Sequence, residues 1–337
     1  MKPQLIGVAT LAVASVVAVL TLNSVAATGS RTTAQVTTVS MTPSDTARTM
    51  RTHVMISPLK TPSNLLPFVR PNIVGEGVFR PAGRTVMGHS AIYTTSIQPA
   101  DNPTTLAGVA WIDPKLLVAR LYSGSLSPGG FFWKLTAPVS TTAAHTLVAA
   151  FNGGFLLKDS RGGYLSEGHQ IGSLVPGAAS LVIFKNGLMT VGEWGRDLRL
   201  SPSVSAVRQN LTLIVDHGAP VPGLSTTDTS RWGYSLNRVI DTPRSGLGVT
   251  ASGALVYVEG EMNEVDLARI LVRAGAVRAM VLDMNPLWPV FATYQPSTPT
   301  GYATPSNGHD LTATMVQGPG RFFQSSYSRD FVTLSAR

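Results

Sequence analysis

Residues 244–283 place the strongest constraint on the fold, because they read as an unbroken series of strand, turn, strand, helix and strand. The first two strands are RSGLGV and ALVYV around an ASG turn, and the last strand, AMVL, ends directly on Asp283. A crossover helix between two strands places the carboxylate of Asp283 at the C-terminal end of a strand, where ligand crevices of α/β sheets open. Asp283 is therefore a candidate functional residue, and a turn or cap residue is the equally weighted alternative.

The helix of this segment is specified by its own sequence. Its apolar residues recur at the spacing of one helix face: Leu267, Ile270, Leu271 and Ala274. Asn263 is the expected N-cap, and Gly275 is the expected stop after the last turn. Acidic residues in the first turn and arginines towards the last complement the helix dipole. The sequence therefore predicts a helix that begins after Asn263 and ends before Gly275.

The chain from Val74 onward predicts a β-rich domain. Short apolar segments alternate with Gly, Pro and Asn turns, and the segments LVIF and LMTV flank Asn186 and Gly187 in a hairpin pattern. With 337 residues and 44% hydrophobic content, the chain can bury a full core. We expect a mixed α+β fold over residues 71–337, with one β-rich domain, a mixed sheet, few helices and no internal repeat.

Residues 1–27 have the features of an export signal. Lys2 precedes an apolar run at residues 5–22, and the small residues SVAA follow at 24–27. A cleaved signal peptide and an uncleaved membrane-anchor helix both fit, since the run is close to the roughly 20 residues that span a bilayer. With Lys2 on the cytoplasmic side, either one places the rest of the chain outside the cytoplasm. Residues 28–70 are rich in Thr, Ser and Pro, which predicts a flexible spacer.

Composition excludes several classes of function. The absence of cysteine excludes thiol nucleophiles, cysteine metal sites and thiol redox chemistry. The net charge of +8 is spread along the chain without a Lys/Arg block, which argues against nucleic-acid binding and fits attraction to anionic envelope polymers. His169 and His217 lack the spacing of a metal motif, so no cofactor is identifiable, and a divalent cation held by carboxylates and carbonyls is left open.

Three segments, in chain order, resemble the phosphodiester glycosidase family. The first is FNGGF at 151–155, the second is RSGLG at 244–248, and the third is the helix followed by GAVRAMVLD at 275–283. The resemblance covers residues 75–335 in outline, and its motif specificity lies in these three segments. It implies a hydrolase of sugar-1-phosphodiester linkages.

The resemblance also implies roles for individual residues. Asp283 is implied as nucleophile or general base. Asn152 precedes Gly153 and Gly154, and such a turn can aim an amide and backbone N–H groups into a cavity, with an ordinary Asn-Gly turn as the alternative. Arg244 is implied as a phosphate clamp, because a guanidinium offers bidentate donors to a phosphodiester, with a surface arginine at a strand edge as the alternative.

One part of the chain departs from the family pattern. The family follows the aspartate with a run of glycines and a serine, whereas this chain continues DMNPLWPVF at 283–291. Glycines allow the backbone to approach a ligand closely, and Met284 and Pro286 do not. In their place, Asn285 is predicted to offer an amide, and Trp288 or Phe291 a surface that stacks on a sugar ring.

The sequence leaves the second catalytic group open. Glycosidases commonly use two carboxylates. Four acidic residues are equal candidates for the partner of Asp283: Glu167, Asp216, Glu259 and Glu261. A phosphate leaving group neutralised by a cation can also depart without a strong second acid.

Two functions are consistent with these observations. The leading hypothesis is an exported or membrane-anchored hydrolase that acts on a phosphosugar polymer or glycoconjugate of the cell envelope. The alternative is a non-catalytic protein of the same fold that binds carbohydrate or serves in envelope assembly, because the glycine run is absent. Both predict a carbohydrate partner, and both predict a membrane contact if the N-terminal helix stays uncleaved.

Overall fold

Strands dominate the computed structural model, which describes residues 57–337. In chain order these strands are β1 (Arg80–Val86), β2 (His89–Ile97), β3 (Ala107–Ile112), β4 (Leu117–Tyr122), β5 (Leu147–Asn152), β6 (Tyr164–Ser166), β7 (His169–Ile171), β8 (Ala179–Phe184), β9 (Met189–Glu193), β10 (Val204–Gln209), β11 (Leu213–Asp216), β12 (Ala219–Pro220), β13 (Thr242–Thr250), β14 (Leu255–Met262), β15 (Ala276–Val281), β16 (Phe291–Tyr294), β17 (Gly308–Asp310) and β18 (Phe331–Ala336). The α-helices are α1 (Thr141–Ala144), α2 (Leu157–Ser160), α3 (Thr229–Trp232) and α4 (Glu264–Arg273). Short 3₁₀ helices lie at Pro114–Leu116, Leu236–Arg238, Pro305–Asn307 and Pro319–Phe323. This content confirms the mixed α+β class.

The strands form three sheets. The largest has eight strands in the order β1-β2-β3-β14-β13-β15-β11-β12. A five-stranded sheet has the order β7-β6-β10-β8-β9, and another has the order β17-β16-β5-β18-β4. The predicted hairpin is confirmed as β8 and β9, in which Ile183 pairs with Met189 and Gly187 takes a left-handed φ of 81° in the turn.

The crossover unit predicted from residues 244–283 forms the middle of the largest sheet. Strand β13 pairs antiparallel with both β14 and β15, so β14 and β15 run parallel on either side of it. Helix α4 connects them, and the Asn263 side chain caps it by accepting a hydrogen bond from the Asp266 N–H at 2.9 Å. The chain passes Gly275 with a φ of 93°, as expected for a helix stop. The predicted limits of this helix are confirmed.

The other feature that positions the site is the pairing of β18 with β5. The two strands are antiparallel, with Phe331 opposite Asn152. Because antiparallel partners run in opposite directions, the residues just before β18 lie beside those just after β5. The turn that begins at Gly153 therefore meets the segment at Arg329.

The predicted spacer extends too far at its C-terminal end. Leu65 is buried, and its N–H donates to the Gly77 carbonyl at 2.9 Å. The Leu59 N–H donates to the Asp113 carboxylate at 2.7 Å, and the Arg273 guanidinium lies 4.1 Å from the centre of the Phe68 ring. Residues 57–70 therefore pack against the domain. Leu65 is buried in a core cluster, and Leu59 and Phe68 pack partly buried against it, which Ser/Thr/Pro composition does not predict.

The remaining N-terminal predictions lie outside the described residues. These are the signal or anchor at 1–27 and the spacer over 28–56. Within residues 57–337, no helix has the length and apolar character required to cross a membrane.

Candidate functional site

A cavity of about 330 Å³ opens at the end of β15. Four segments supply most of its wall: residues 155–161, Gly233 with Tyr234, residues 283–285, and Arg329. The family-like turn after β5 and the aspartate after β15 therefore meet at one cavity, as the sequence predicts for Asp283.

Asp283 lies at the inner wall of this cavity. Its side chain is almost fully buried, and its Oδ2 accepts a hydrogen bond from Arg329 Nη2 at 2.6 Å. Its Oδ1 accepts from the Asn285 N–H at 2.9 Å. Burial raises the pKa of Asp283 to about 6, and the positive charge of Arg329 opposes this rise. The carboxyl group therefore changes charge close to neutral pH, as a general base or nucleophile requires.

Arg329 is the cation that faces Asp283. Its Nη2 also donates to the Gly154 carbonyl at 3.0 Å, and its guanidinium lies 4.9 Å from the centre of the Trp288 ring. Its Nε is buried and has no hydrogen-bond partner among the described residues. A buried arginine with an unused donor at a cavity wall is suited to bind an anion.

A second buried ion pair fixes the turn after β5. Arg208 Nε donates to Asp330 Oδ2 at 2.8 Å, and Arg208 Nη2 donates to Asp330 Oδ1 at 3.2 Å. The Gly153 N–H donates to the Asp330 carbonyl at 2.8 Å. A Cβ atom on Gly153 would lie 2.0 Å from Asp330 Oδ2, so only glycine fits there.

Asn210 connects this turn to the strand that carries Asp283. Its Oδ1 accepts from the Phe155 N–H at 3.2 Å. Its Nδ2 donates to the carbonyls of Val281 at 2.8 Å and Leu282 at 3.1 Å. The two motif segments are thus held together by one amide side chain.

Asn152 lies beneath the cavity wall and is buried. Its Nδ2 donates to Ser245 Oγ at 3.0 Å and to the Gly153 carbonyl at 2.8 Å. Its Oδ1 accepts from the Tyr257 hydroxyl at 2.7 Å. Ser245 Oγ in turn lies 3.3 Å from the Asp283 backbone nitrogen, so Asn152 reaches Asp283 through Ser245.

Arg244 occupies a different place from the one expected of a phosphate clamp. It does not line the cavity, and its Nη1 forms an ion pair with Glu264 Oε1 at 2.6 Å. Its Nη2 donates to the Ile240 carbonyl at 2.7 Å, and its Nε donates to the Met262 carbonyl. Neighbouring side chains on a strand point to opposite faces, so Arg244 turns away from the Asn152 side, which Ser245 faces. Arg244 lines a separate, smaller cavity of about 40 Å³, and the arginine that contacts Asp283 is Arg329.

The predicted substrate-binding residues divide into two groups. Asn285 lines the cavity, and its Oδ1 accepts from the Leu287 N–H at 3.1 Å, which closes the turn after Asp283. Trp288 packs against Arg329 and against the Tyr327 ring, whose centroid is 6.2 Å away, and it is not part of the cavity wall. Gly153 and Gly154 shape the adjoining turn.

None of the four carboxylates considered as partners of Asp283 lines the cavity. Glu167 accepts from the backbone N–H groups of Lys134 and Leu135, and Asp216 pairs with Arg196. Glu261 is exposed, and Glu259 is fully buried on β14. A carboxylate that the sequence analysis missed, Asp159 on α2, does line the cavity. Over residues 57–337, no group of three or more His, Asp or Glu side chains is arranged to hold a metal ion.

Comparison with known proteins gives one sequence match. No curated protein matches this chain. Among solved structures, the zebrafish N-acetylglucosamine-1-phosphodiester alpha-N-acetylglucosaminidase catalytic domain, auto-inhibited by its pro-peptide, aligns with 15% identity and a TM-score of 0.48, over 77% of this chain and 87% of that chain. A hypothetical protein from Synechocystis aligns with 11% identity and a TM-score of 0.38, over 77% and 64% of the two chains. Residues 145–283, which include all three motif segments, match the model of the phosphodiester glycosidase family, and this match confirms the resemblance inferred from the sequence.

Proposed function

We propose that this protein is an exported hydrolase of sugar-1-phosphodiester linkages in a cell-envelope polysaccharide or glycoconjugate. The observation that carries the proposal is the Asp283–Arg329 pair at the cavity wall, with Asp283 at the end of the segment that matches the family model. Export is proposed from the sequence of residues 1–27, which either release the chain or anchor it in the membrane.

The pair provides the two elements that the reaction requires. The Arg329 guanidinium binds the phosphate oxygens and neutralises the charge on the departing phosphate as the bond between the sugar C1 and the phosphate oxygen breaks. As that bond breaks, C1 is attacked either by Asp283, whose glycosyl ester water then hydrolyses, or by a water molecule from which Asp283 takes a proton. Lys158 at the cavity rim adds positive charge, and Asp159 is the nearest candidate for a second carboxylate.

Exchange of partners is the central step of this proposal. In the absence of substrate, Arg329 donates to Asp283 at 2.6 Å. A phosphodiester anion competes for the same guanidinium, since Arg329 lines the cavity beside Asp283. Because Asp283 must be ionised to act as a base or nucleophile, and its pKa in the free protein is raised to about 6, we expect kcat/KM to rise as the pH increases through about 6.

Turnover of a sugar-1-phosphodiester by wild type and Asp283→Asn tests the proposal. Loss of the nucleophile or base is expected to lower kcat by about a thousandfold or more, with little change in thermal stability. Glu261→Gln is the matched control, because Glu261 is an exposed carboxylate on β14 that does not line the cavity. Turnover by Asp283→Asn at the wild-type rate would show that Asp283 has no role in the reaction.

The alternative is a non-catalytic carbohydrate-binding protein. This alternative is favoured by the replacement of the family's glycine run by Met284 and Pro286. Without glycines at these positions, a ligand cannot approach the backbone as closely. Calorimetric titration with the same phosphosugar distinguishes the two. Binding by wild type without any product over a long incubation supports the alternative.

A further inference from the structure

Strand β14 carries a buried carboxylate that the proposed reaction does not use directly. Glu259 is fully buried and is separated from the cavity by Tyr257 and Asn152. Its Oε2 lies 3.0 Å from the Tyr257 hydroxyl, and its Oε1 accepts from the Thr312 hydroxyl at 3.2 Å. A buried carboxyl group with only neutral contacts requires an explanation, because burial disfavours its ionised form.

The hydrogen bonds around Asn152 fix the direction of its amide. The Val290 N–H donates to Oδ1 at 3.2 Å, and Nδ2 donates to the Gly153 carbonyl at 2.8 Å. A backbone N–H can only donate and a backbone carbonyl can only accept, so the amide oxygen and nitrogen of Asn152 are assigned. Oδ1 therefore also accepts from Tyr257.

The count of hydrogens then determines the charge on Glu259. The Tyr257 hydroxyl lies 2.7 Å from Asn152 Oδ1 and 3.0 Å from Glu259 Oε2, and it has one hydrogen for these two oxygens, since Ser245 can donate its own. If Glu259 were ionised, one of these contacts would bring two acceptors together. A proton on Glu259 satisfies both contacts, because Glu259 donates to Tyr257 and Tyr257 donates to Asn152.

The surroundings of Glu259 favour the same state. Burial raises the pKa of Glu259 to about 8, and hydrogen bonding to Tyr257 and Thr312, which favours the ionised form when the hydroxyls donate, opposes this rise. Asp310 on β17 raises the pKa further, whereas the backbone of Phe291 on β16 lowers it. The residues opposite Glu259 on the flanking strands, Gly108 on β3 and Ser245 on β13, have no ionisable side chain.

We propose that Glu259 and Tyr257 are a positioning pair for the reaction proposed above, on which this inference rests. Protonated Glu259 donates to Tyr257, which donates to Asn152 and so maintains the contact from Asn152 through Ser245 to the Asp283 backbone. When Glu259 loses its proton, the Tyr257 hydrogen turns towards the new carboxylate. The Tyr257 oxygen then faces Asn152 Oδ1 with no hydrogen between them, and the support of Asp283 weakens.

The pH dependence of kcat on a short sugar-1-phosphodiester tests this pair. Wild type is expected to lose activity above pH 8, by about four- to fivefold at pH 9 for a single ionisation near 8, since the deprotonated form keeps the activity of the interrupted chain. Glu259→Gln keeps a neutral donor towards Tyr257, so its kcat is expected to stay level between pH 7 and pH 9. Tyr257→Phe interrupts the chain at every pH and is expected to lower kcat by about five- to tenfold, with KM nearly unchanged.

Glu261→Gln is the matched control, because Glu261 is the exposed carboxylate two residues along the same strand. It is expected to keep the wild-type decline above pH 8. The same decline in Glu259→Gln, with thermal unfolding showing that the variant is folded, would overturn the proposal.

A measurement without turnover separates this inference from the proposed function. The side-chain amide resonances of Asn152 in the full-length chain are expected to shift with a midpoint near pH 8 in wild type and to stay fixed in Glu259→Gln. If the resonances shift in this way but the protein does not turn over a sugar-1-phosphodiester, the proposed reaction is wrong and the hydrogen-bonded chain is supported. Resonances that do not respond to pH in wild type would overturn the pair, whatever the activity.

Discussion

Two buried arginine–carboxylate pairs invite comparison, because the same pairing stands in two different surroundings. Arg244 contacts Glu264 at 2.6 Å, and Arg329 contacts Asp283 at 2.6 Å. The first pair lines a small cavity of about 40 Å³, and backbone carbonyls such as that of Ile240 take up the other donors of Arg244. Arg329 and Asp283 line the cavity of about 330 Å³, and Arg329 has a buried Nε without a hydrogen-bond partner among the described residues. Distance and burial do not distinguish the two pairs, whereas the size of the adjoining cavity and the hydrogen bonding of the arginine do.

The comparison predicts the largest effect for Arg244→Met. This change leaves Glu264 buried without its cation, and removal of one partner of a buried ion pair costs about 3–5 kcal/mol. The free energy of unfolding, measured by chemical denaturation, is expected to fall by that amount. The double variant Arg244→Met/Glu264→Gln is the control and should recover part of the loss. Unchanged stability combined with loss of phosphodiester turnover would return Arg244 to the role that the sequence predicted.

Arg329→Lys is expected to have a smaller effect, and on activity. A hydrogen bond to a charged group contributes about 1.5–3 kcal/mol, so kcat/KM on a phosphodiester should fall by about 10- to 150-fold as the planar guanidinium is lost. Arg321→Lys is the control, since Arg321 also stacks on Trp288 and does not line the cavity. Equal losses in the two variants would assign Arg329 a packing role.

The smallest effect is expected for an exposed pair. Arg269 contacts Asp101 at 3.0 Å with both side chains largely in solvent, and such pairs contribute about 0.2–1 kcal/mol. Asp101→Asn should therefore change the free energy of unfolding by less than 1 kcal/mol and leave turnover intact. A larger loss would show that the connection from Asp101 to helix α4 is structural.

The parts of the fold that local sequence determines were predictable. Helix α4 has its cap, its apolar face and its stop within a short stretch, and the hairpin of β8 and β9 has its turn between its strands. Asp283 was also predictable, because the end of β15 follows from the same stretch. Its placement at a cavity agrees with that expectation, and its catalytic role stays a prediction.

Arg329 was not predictable, because its position depends on which strand pairs with β5. In the sequence, Arg329 and Asp330 are two charged residues before a final strand, and nothing nearby indicates that this strand lies beside the FNGGF motif. The ion pair of Arg244 was not predictable for a related reason, because its partner, Glu264, lies on a helix whose packing the sequence does not show. The burial of Leu65 likewise depends on a core cluster that includes residues of β3, β14 and helix α4.

The distance along the chain between the parts of the site has a consequence for the order of folding. Arg329 and the Gly154 carbonyl that it contacts are 175 residues apart, and Arg208 and Asp330 are 122 residues apart. Contacts of such long range form late, because the loops between them must be closed first. A partly folded chain that already has helix α4 and the β8–β9 hairpin therefore still lacks the cation beside Asp283. The Asp283–Arg329 pair would then be complete only when these long-range contacts have formed.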